Sequence, residues 1–266
     1  MIIKDYEKFL VEQDLSKGTV KKYISDVIQF ETWLMNNKDK TWRDYKYEYL
    51  RKYKISTING KLISINKYLR WKGESDIEFK CYKIQKNSCF ERIITKKEYF
   101  LLLDYALKKE NFKLYCIMRV LALSGIRIGE LKYFTVESLN RGIIDIVNKG
   151  KMRRIFLSYK LIELLKRYCE KEQIESGVIF RGRNEKAISS KTIWKNLKKL
   201  ARDCNVQEQN VYPHMFRHLF AKEYLKISDN IMELADILGH SSLESTWRYV
   251  RSSKREKLIK LNMLDM

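Results

Sequence analysis

Residues 111–158, NFKLYCIMRVLALSGIRIGELKYFTVESLNRGIIDIVNKGKMRRIFLS, pass from a helical to a strand pattern. From Asn111 to Leu123 the pattern is a helix, and Ser124-Gly125 stops it, with Gly125 a natural left-handed C-cap. Arg127 follows at the start of a short helix that runs to about Lys132. Gly142–Val147 and Met152–Ser158 then read as two strands joined by Asn148-Lys149-Gly150-Lys151, a tight hairpin with glycine in the turn. Helix, stop and hairpin together predict a mainly α fold of α+β type, with one small antiparallel sheet.

The pattern stays helical on both sides of this stretch. Downstream, helices are expected at about Tyr159–Lys171, Ser190–Asp203, Pro213–Leu225, Ile231–Leu238 and Leu243–Val250. Pro213, the only proline, falls in a first helical turn, where its missing N–H costs nothing, and Gly239 is a plausible C-cap. Upstream, Thr95 and Glu98 make a T-x-x-E capping box that opens the helix Lys96–Leu107. Nearer the start, Ser16 caps a helix whose apolar positions Val20, Tyr23, Ile24, Val27, Phe30 and Leu34 recur at three and four. The periodicity lapses around residues 84–94, which predicts a helical domain over residues 1–88 and a second, mostly helical domain with the small sheet over 94–266.

Composition bounds the partner. Among 266 residues, 54 Lys and Arg stand against 33 Asp and Glu, a net charge of +21. Such an excess on a folded chain points to a polyanion, either nucleic acid or an anionic membrane surface. Both expected domains share it: residues 1–90 carry 19 basic against 12 acidic side chains, and 91–266 carry 35 against 21. No stretch approaches the roughly 18 apolar residues of a membrane span. The opening Met1-Ile2-Ile3-Lys4-Asp5-Tyr6 is not a secretory signal. Five cysteines, an odd number without a C-x-x-C pair, fit reduced thiols in a cytoplasm better than disulfides or a zinc ribbon. One proline and ten glycines argue against a β-sandwich or a flexible string of domains.

Residues 51–70, RKYKISTINGKLISINKYLR, contain no acid. Arg51, Lys52, Lys54, Lys61, Lys67 and Arg70 are interleaved with Ser56, Thr57, Asn59, Ser64 and Asn66, beside an apolar stripe of Ile58, Leu62, Ile65 and Leu69. A helix with one apolar face and one basic, hydrogen-bonding face packs on its own domain and lies against phosphates. A solvated surface helix is the alternative, but twenty residues free of carboxylate favour a face that lies against phosphates.

All three histidines, His214, His218 and His240, crowd near the C-terminus. His214 and His218 stand at i and i+4, the spacing of a metal pair. Met215, rather than Glu, follows the first, however, and Arg217 inside the pair repels a cation, so no metal site and no cofactor is expected. His214 and Arg217 share a helix face at i and i+3, and a helix start bearing them suits a phosphate. His240 follows Gly239 directly, and Tyr249 comes nine residues later. With Arg127 and the hairpin lysine, these side chains form a set able to carry phosphodiester transfer without a metal.

At these residues the chain resembles the tyrosine recombinase (phage integrase) family, in its simple, Xer-like two-domain form. The matching pieces are Ser124-Gly125-Ile126-Arg127-Ile128-Gly129-Glu130-Leu131, the hairpin Lys149, His214-Met215-Phe216-Arg217-His218, Leu238-Gly239-His240-Ser241 and Tyr249, in order and at the right spacing. The resemblance implies a site-specific recombinase that cuts and rejoins DNA through a covalent 3′-phosphotyrosyl intermediate, without metal or ATP. Tyr249 would be the nucleophile. Arg127 and Arg217 would clamp the non-bridging oxygens, and Lys149 would protonate the 5′-oxygen. His214 would assist proton transfer at Tyr249, and His240 would donate to the phosphate. Glu130 would orient the cationic groups. Lys151, in the same turn as Lys149, also reaches toward DNA, and His218 is expected to be structural. Residues 1–88 would be a core-type DNA-binding (SAM-like) domain and 94–266 the catalytic domain, the two gripping opposite sides of a duplex.

The partner implied is double-stranded DNA with paired inverted half-sites, bound by a homodimer and synapsed by a homotetramer, with no membrane involved. Binding of that kind weakens steeply with salt. The tail Arg251–Met266, with Leu258, Ile259, Leu261, Met263 and Leu264, would dock on a neighbouring protomer, a cis-packed last helix being the alternative. With helices beginning so close to Met1, no arm-type DNA-binding module is expected. Two other functions fit parts of the pattern: a type IB topoisomerase-like enzyme that relaxes DNA, and a non-catalytic DNA-binding regulator of the same fold.

Overall fold

The structure, a computed structural model, describes residues 2–83, 94–148 and 151–239, with Thr246 and Asn262, the side chains of Asn148, Lys151 and Asn184 apart. The expected lapse at 84–94, the helix at Leu243–Val250 and the tail thus lie almost wholly outside the described residues. The chain divides into two compact units, Met1–Lys86 and Asn87–Met266.

The first unit is helical: α1 (Ile2–Glu12), α2 (Lys17–Asn36), the single turn α3 (Trp42–Asp44) and α4 (Ile55–Lys72). A π-helical stretch, Tyr45–Tyr49, and a 3-10 turn, Leu50–Lys52, join α3 to α4. The Ser16 cap is present, accepting from the Thr19 N–H at 3.2 Å. Packing of α2 on α4 seals a core rich in aromatic rings. Tyr6 meets Tyr68 edge-on at 5.1 Å and Phe30 meets Tyr45 at 5.0 Å.

Here α4 corrects the sequence reading of its polar residues. Ser64 and Asn66 are buried and Asn59 half-buried, so they do not form an outward hydrogen-bonding face. Asn66 donates to the Phe79 carbonyl and accepts the Phe79 N–H, both at 2.9 Å. Asn59 does the same to Tyr82 at 2.8 Å. Two amides, two helical turns apart, thus hold residues 79–82 against the helix as a neighbouring strand would. Lys61 also turns inward. Its ammonium donates to Asp26 Oδ1 at 2.9 Å and to Gln29 at 2.7 Å.

The second unit contains α5 (Lys96–Lys108), α6 (Phe112–Ser124), α7 (Val136–Arg141), β1 (Ile143–Asn148), β2 (Lys151–Phe156), α8 (Tyr159–Lys171), α9 (Ser190–Asp203), α10 (Pro213–Tyr224) and α11 (Ile231–Leu238). A 3-10 helix, Ile128–Tyr133, follows α6. The fold is therefore mainly helical with one two-stranded antiparallel sheet, as expected. α6 buries residues on every side, and α5, α8, α9 and α10 pack around it. The Thr95–Glu98 capping box is formed, and Asn111 caps α6 by accepting the Leu114 N–H at 3.1 Å. The hairpin is tighter than expected, because Asn148 pairs with Lys151 instead of lying in the turn. The short helix α7, capped by Thr135, is not anticipated by the sequence pattern.

Candidate active site

Three helix ends build the site. α6 stops at Gly125, where φ is +60° and an added Cβ would lie 2.4 Å from the Phe220 ring of α10. α11 stops at Gly239, φ +61°, where a Cβ would lie 2.4 Å from Arg153 Cδ. Only glycine fits both the left-handed backbone and these close approaches. α10 begins at Pro213 and carries His214 and Arg217 in its first two turns.

Arg217 is 1% exposed. Its Nη1 donates to the Gly125 carbonyl and its Nη2 to the Leu238 carbonyl, each at 2.6 Å. One side chain thereby joins the end of α6 to the end of α11. Arg127, two residues past Gly125, lies on the same assembly: its Nη2 donates to the Gly239 carbonyl at 3.2 Å. Glu130 holds Arg127 in place, accepting its backbone N–H at 2.7 Å and its Nη1 at 3.2 Å. These carbonyls end a helix and carry the negative end of its dipole, which favours guanidinium.

The structure therefore brings Arg127, Glu130 and Arg217 together, although Arg217 lies far along the chain from the other two. It adds Arg153, which sequence reading missed. Arg153 Nη1 donates to the Ile237 carbonyl at 2.6 Å and Nη2 to Glu130 Oε2 at 2.5 Å. Burial draws its pKa down, Glu130 draws it back up, and the nearby Arg127 lowers it further. A signal was present: strand alternation with Ile155 and Leu157 inward puts Arg153 on the inward face, where a charge needs a partner.

His214 is exposed, at the mouth of α10, with its ring edge-on to His218 at 4.6 Å. His218 is buried. Lys149, His240 and Tyr249 lie outside the described residues, as does the side chain of Lys151. Thr246, three residues before Tyr249, is buried. Among the described residues, no three His, Cys, Asp or Glu side chains form a group suited to a metal.

Of the basic residues in 51–70, Arg51, Lys52, Lys54 and Arg70 are exposed. Lys52 lies over the Tyr49 ring at 3.9 Å, half-buried Lys67 lies 5.7 Å from the Phe9 ring, and Arg70 pairs with Glu78 at 2.5 Å. Lys61 leaves this outward row for Asp26. Among the described residues, no helix is long and apolar enough to cross a membrane.

The sequence model of the phage integrase family matches residues 92–256. The chain belongs to the phage integrase family. It is similar over nearly its full length to tyrosine recombinase XerC of Syntrophus aciditrophicus (strain SB), 26% identical over 290 residues, covering 95% of this chain and 93% of that protein. Its fold is shared with the XerH site-specific recombinase bound to difH substrate in a pre-cleavage complex (TM-score 0.71, 16% identity, 92% of this chain and 79% of that one). A lambda integrase tetramer bound to a Holliday junction shares it as well (TM-score 0.72, 18% identity, 93% and 76%). The family match and the likeness to XerC favour site-specific recombination over the topoisomerase and regulator alternatives.

Proposed function

We propose that this chain recombines DNA at specific sites, with Tyr249 attacking a backbone phosphate held by Arg127 and Arg217. The observation that carries the reading is the meeting of these two guanidiniums on consecutive carbonyls, Leu238 and Gly239, immediately before His240. A phenol with an ordinary pKa near 10 is a weak nucleophile, so the cationic surroundings do the activating. Guanidinium suits the clamp because it stays charged and presents a planar fork of donors to two oxygens.

In this reading Lys149 protonates the leaving 5′-oxygen, His214 takes part in proton transfer at Tyr249, and His240 donates to the phosphate as charge builds. The covalent link conserves the phosphodiester energy, so rejoining needs neither ATP nor metal. Residues 1–88 add DNA contacts through Arg51, Lys52, Lys54, Lys67 and Arg70, and residues 94–266 add those of the catalytic domain, Lys151 among them. Two copies on inverted half-sites, and four in synapsis, complete the reaction in the cytoplasm.

The test uses the full chain and a nicked duplex whose sequence is recovered by selecting random DNA for binding. Wild type leaves a denaturation-resistant protein–DNA adduct. Tyr249→Phe abolishes the adduct and keeps the affinity. An adduct that survives this substitution removes Tyr249 as nucleophile.

A further inference from the structure

Arg153 is set apart from the groups assigned to the phosphate, yet it holds them together. It pairs with Ile146 across the hairpin. Its side chain is 13% exposed, against 41% for Arg127. Its two terminal nitrogens divide their bonds between Glu130 and the Ile237 carbonyl. Glu130 in turn holds Arg127, and Arg127 reaches the Gly239 carbonyl. A ring closes through Arg127, Glu130, Arg153 and the last turn of α11. Within it one carboxylate serves two guanidiniums, which leaves one net positive charge. Without Arg153 the carboxylate would pair with Arg127 alone, and that net charge would fall to zero.

We infer that Arg153 is a positioning residue for recombination: it shares the charge of Glu130 and fixes the end of α11, so that Arg127 keeps its orientation and its net positive field for the scissile phosphate. This rests on the placement of Arg127 at the phosphate. The contact at Gly239 fits the same role, since the backbone there is shaped around the Arg153 side chain. Arg153 acts through Arg127 and does not itself meet the DNA.

The experiment measures the single-turnover rate of adduct formation by the full chain on the nicked duplex described above. The scissile group is either a normal phosphate or a methylphosphonate, whose missing charge leaves an arginine less to neutralise. Arg153→Met is compared with Arg127→Lys and with the double variant. Arg153→Met slows the reaction on phosphate by about tenfold, the scale of a coupled contact. It slows the reaction less on methylphosphonate, and adds little in the Arg127→Lys background. Arg153→Lys, which keeps the charge and loses the fork, falls between wild type and Arg153→Met, and carries the same comparison if Arg153→Met does not fold. DNA affinity is unchanged in Arg153→Met and Arg153→Lys. Equal slowing on both substrates, full additivity with Arg127→Lys, or no slowing would overturn the inference and leave the Arg127 assignment standing. If Arg127→Lys itself cleaves phosphate at the wild-type rate, that assignment fails and the inference fails with it.

Discussion

Asp26 shows how a single carboxylate decides what its neighbours do. It is buried between α2 and α4 and accepts from Lys22 at 2.7 Å, Lys61 at 2.9 Å and Ser64 at 2.8 Å. Burial alone pushes its pKa up, and these three bonds together outweigh it, leaving the carboxyl below its ordinary value. The folded state therefore binds that proton less readily than the unfolded chain. The resulting stability is complete above the ordinary carboxylate range, near pH 4, and is lost as pH falls through the lower folded value. Urea melts across pH 2–6 should show wild type losing this increment, with Asp26→Asn, less stable by about 2 kcal/mol at pH 6, flatter over the same window. A wild type and variant of equal stability and equal pH slope would contradict the assignment. Gly239 makes a second case, at the active site. Gly239→Ala places a Cβ in a left-handed backbone and 2.4 Å from Arg153 Cδ. A loss of about 1–2 kcal/mol in thermal stability is expected from the backbone alone, together with slower cleavage because Arg153 must move. Unchanged melting and cleavage would show that the helix end tolerates a side chain there.

At the scale of elements, the helix stops and starts were legible in the sequence because their signals are local. Ser16, the Thr95–Glu98 box, Gly125 and Gly239 each lie at the end of one helix, and the structure forms those caps. The direction in which α4 turns its polar side chains was not legible. Lys61 finds its acid on α2, 35 residues away, and Asn66 finds its backbone partner 13 residues on. Nothing in the sequence between Arg51 and Arg70 records either partner, so Lys61 reads there as one more surface charge. Asn66→Ala tests the corrected role. It leaves the buried Phe79 N–H and carbonyl without their amide, at a cost of about 1–3 kcal/mol. Denaturant melts should show that loss while binding to the selected duplex, compared at a temperature where the variant is fully folded, stays at wild-type strength. Weaker binding with unchanged stability would return Asn66 to the DNA-facing set.

For the whole molecule, the proposed active site draws on groups scattered from Arg127 to Tyr249, and the fold joins Arg127, Glu130 and Arg217 among them. Gly125 ends α6, Arg217 ties that end to Leu238, and the chain leaves α11 directly into His240. Residue types and order picked out Arg127, Glu130 and Arg217, which do meet, while Lys149, His240 and Tyr249 lie outside the described residues. Arg153 escaped because its place depends on which strand face turns inward, and its partners, Glu130 and Ile237, lie 23 and 84 residues away. What binds these parts into an enzyme is one reaction at one phosphorus, and it can be read directly. The covalent product on the nicked duplex is digested with protease and nuclease, and the residue that retains the nucleotide is located by mass spectrometry. A single nucleotide-bearing peptide is expected, modified at Tyr249 through a 3′-phosphate. A nucleotide on any other residue, or linked through a 5′-phosphate, would contradict it.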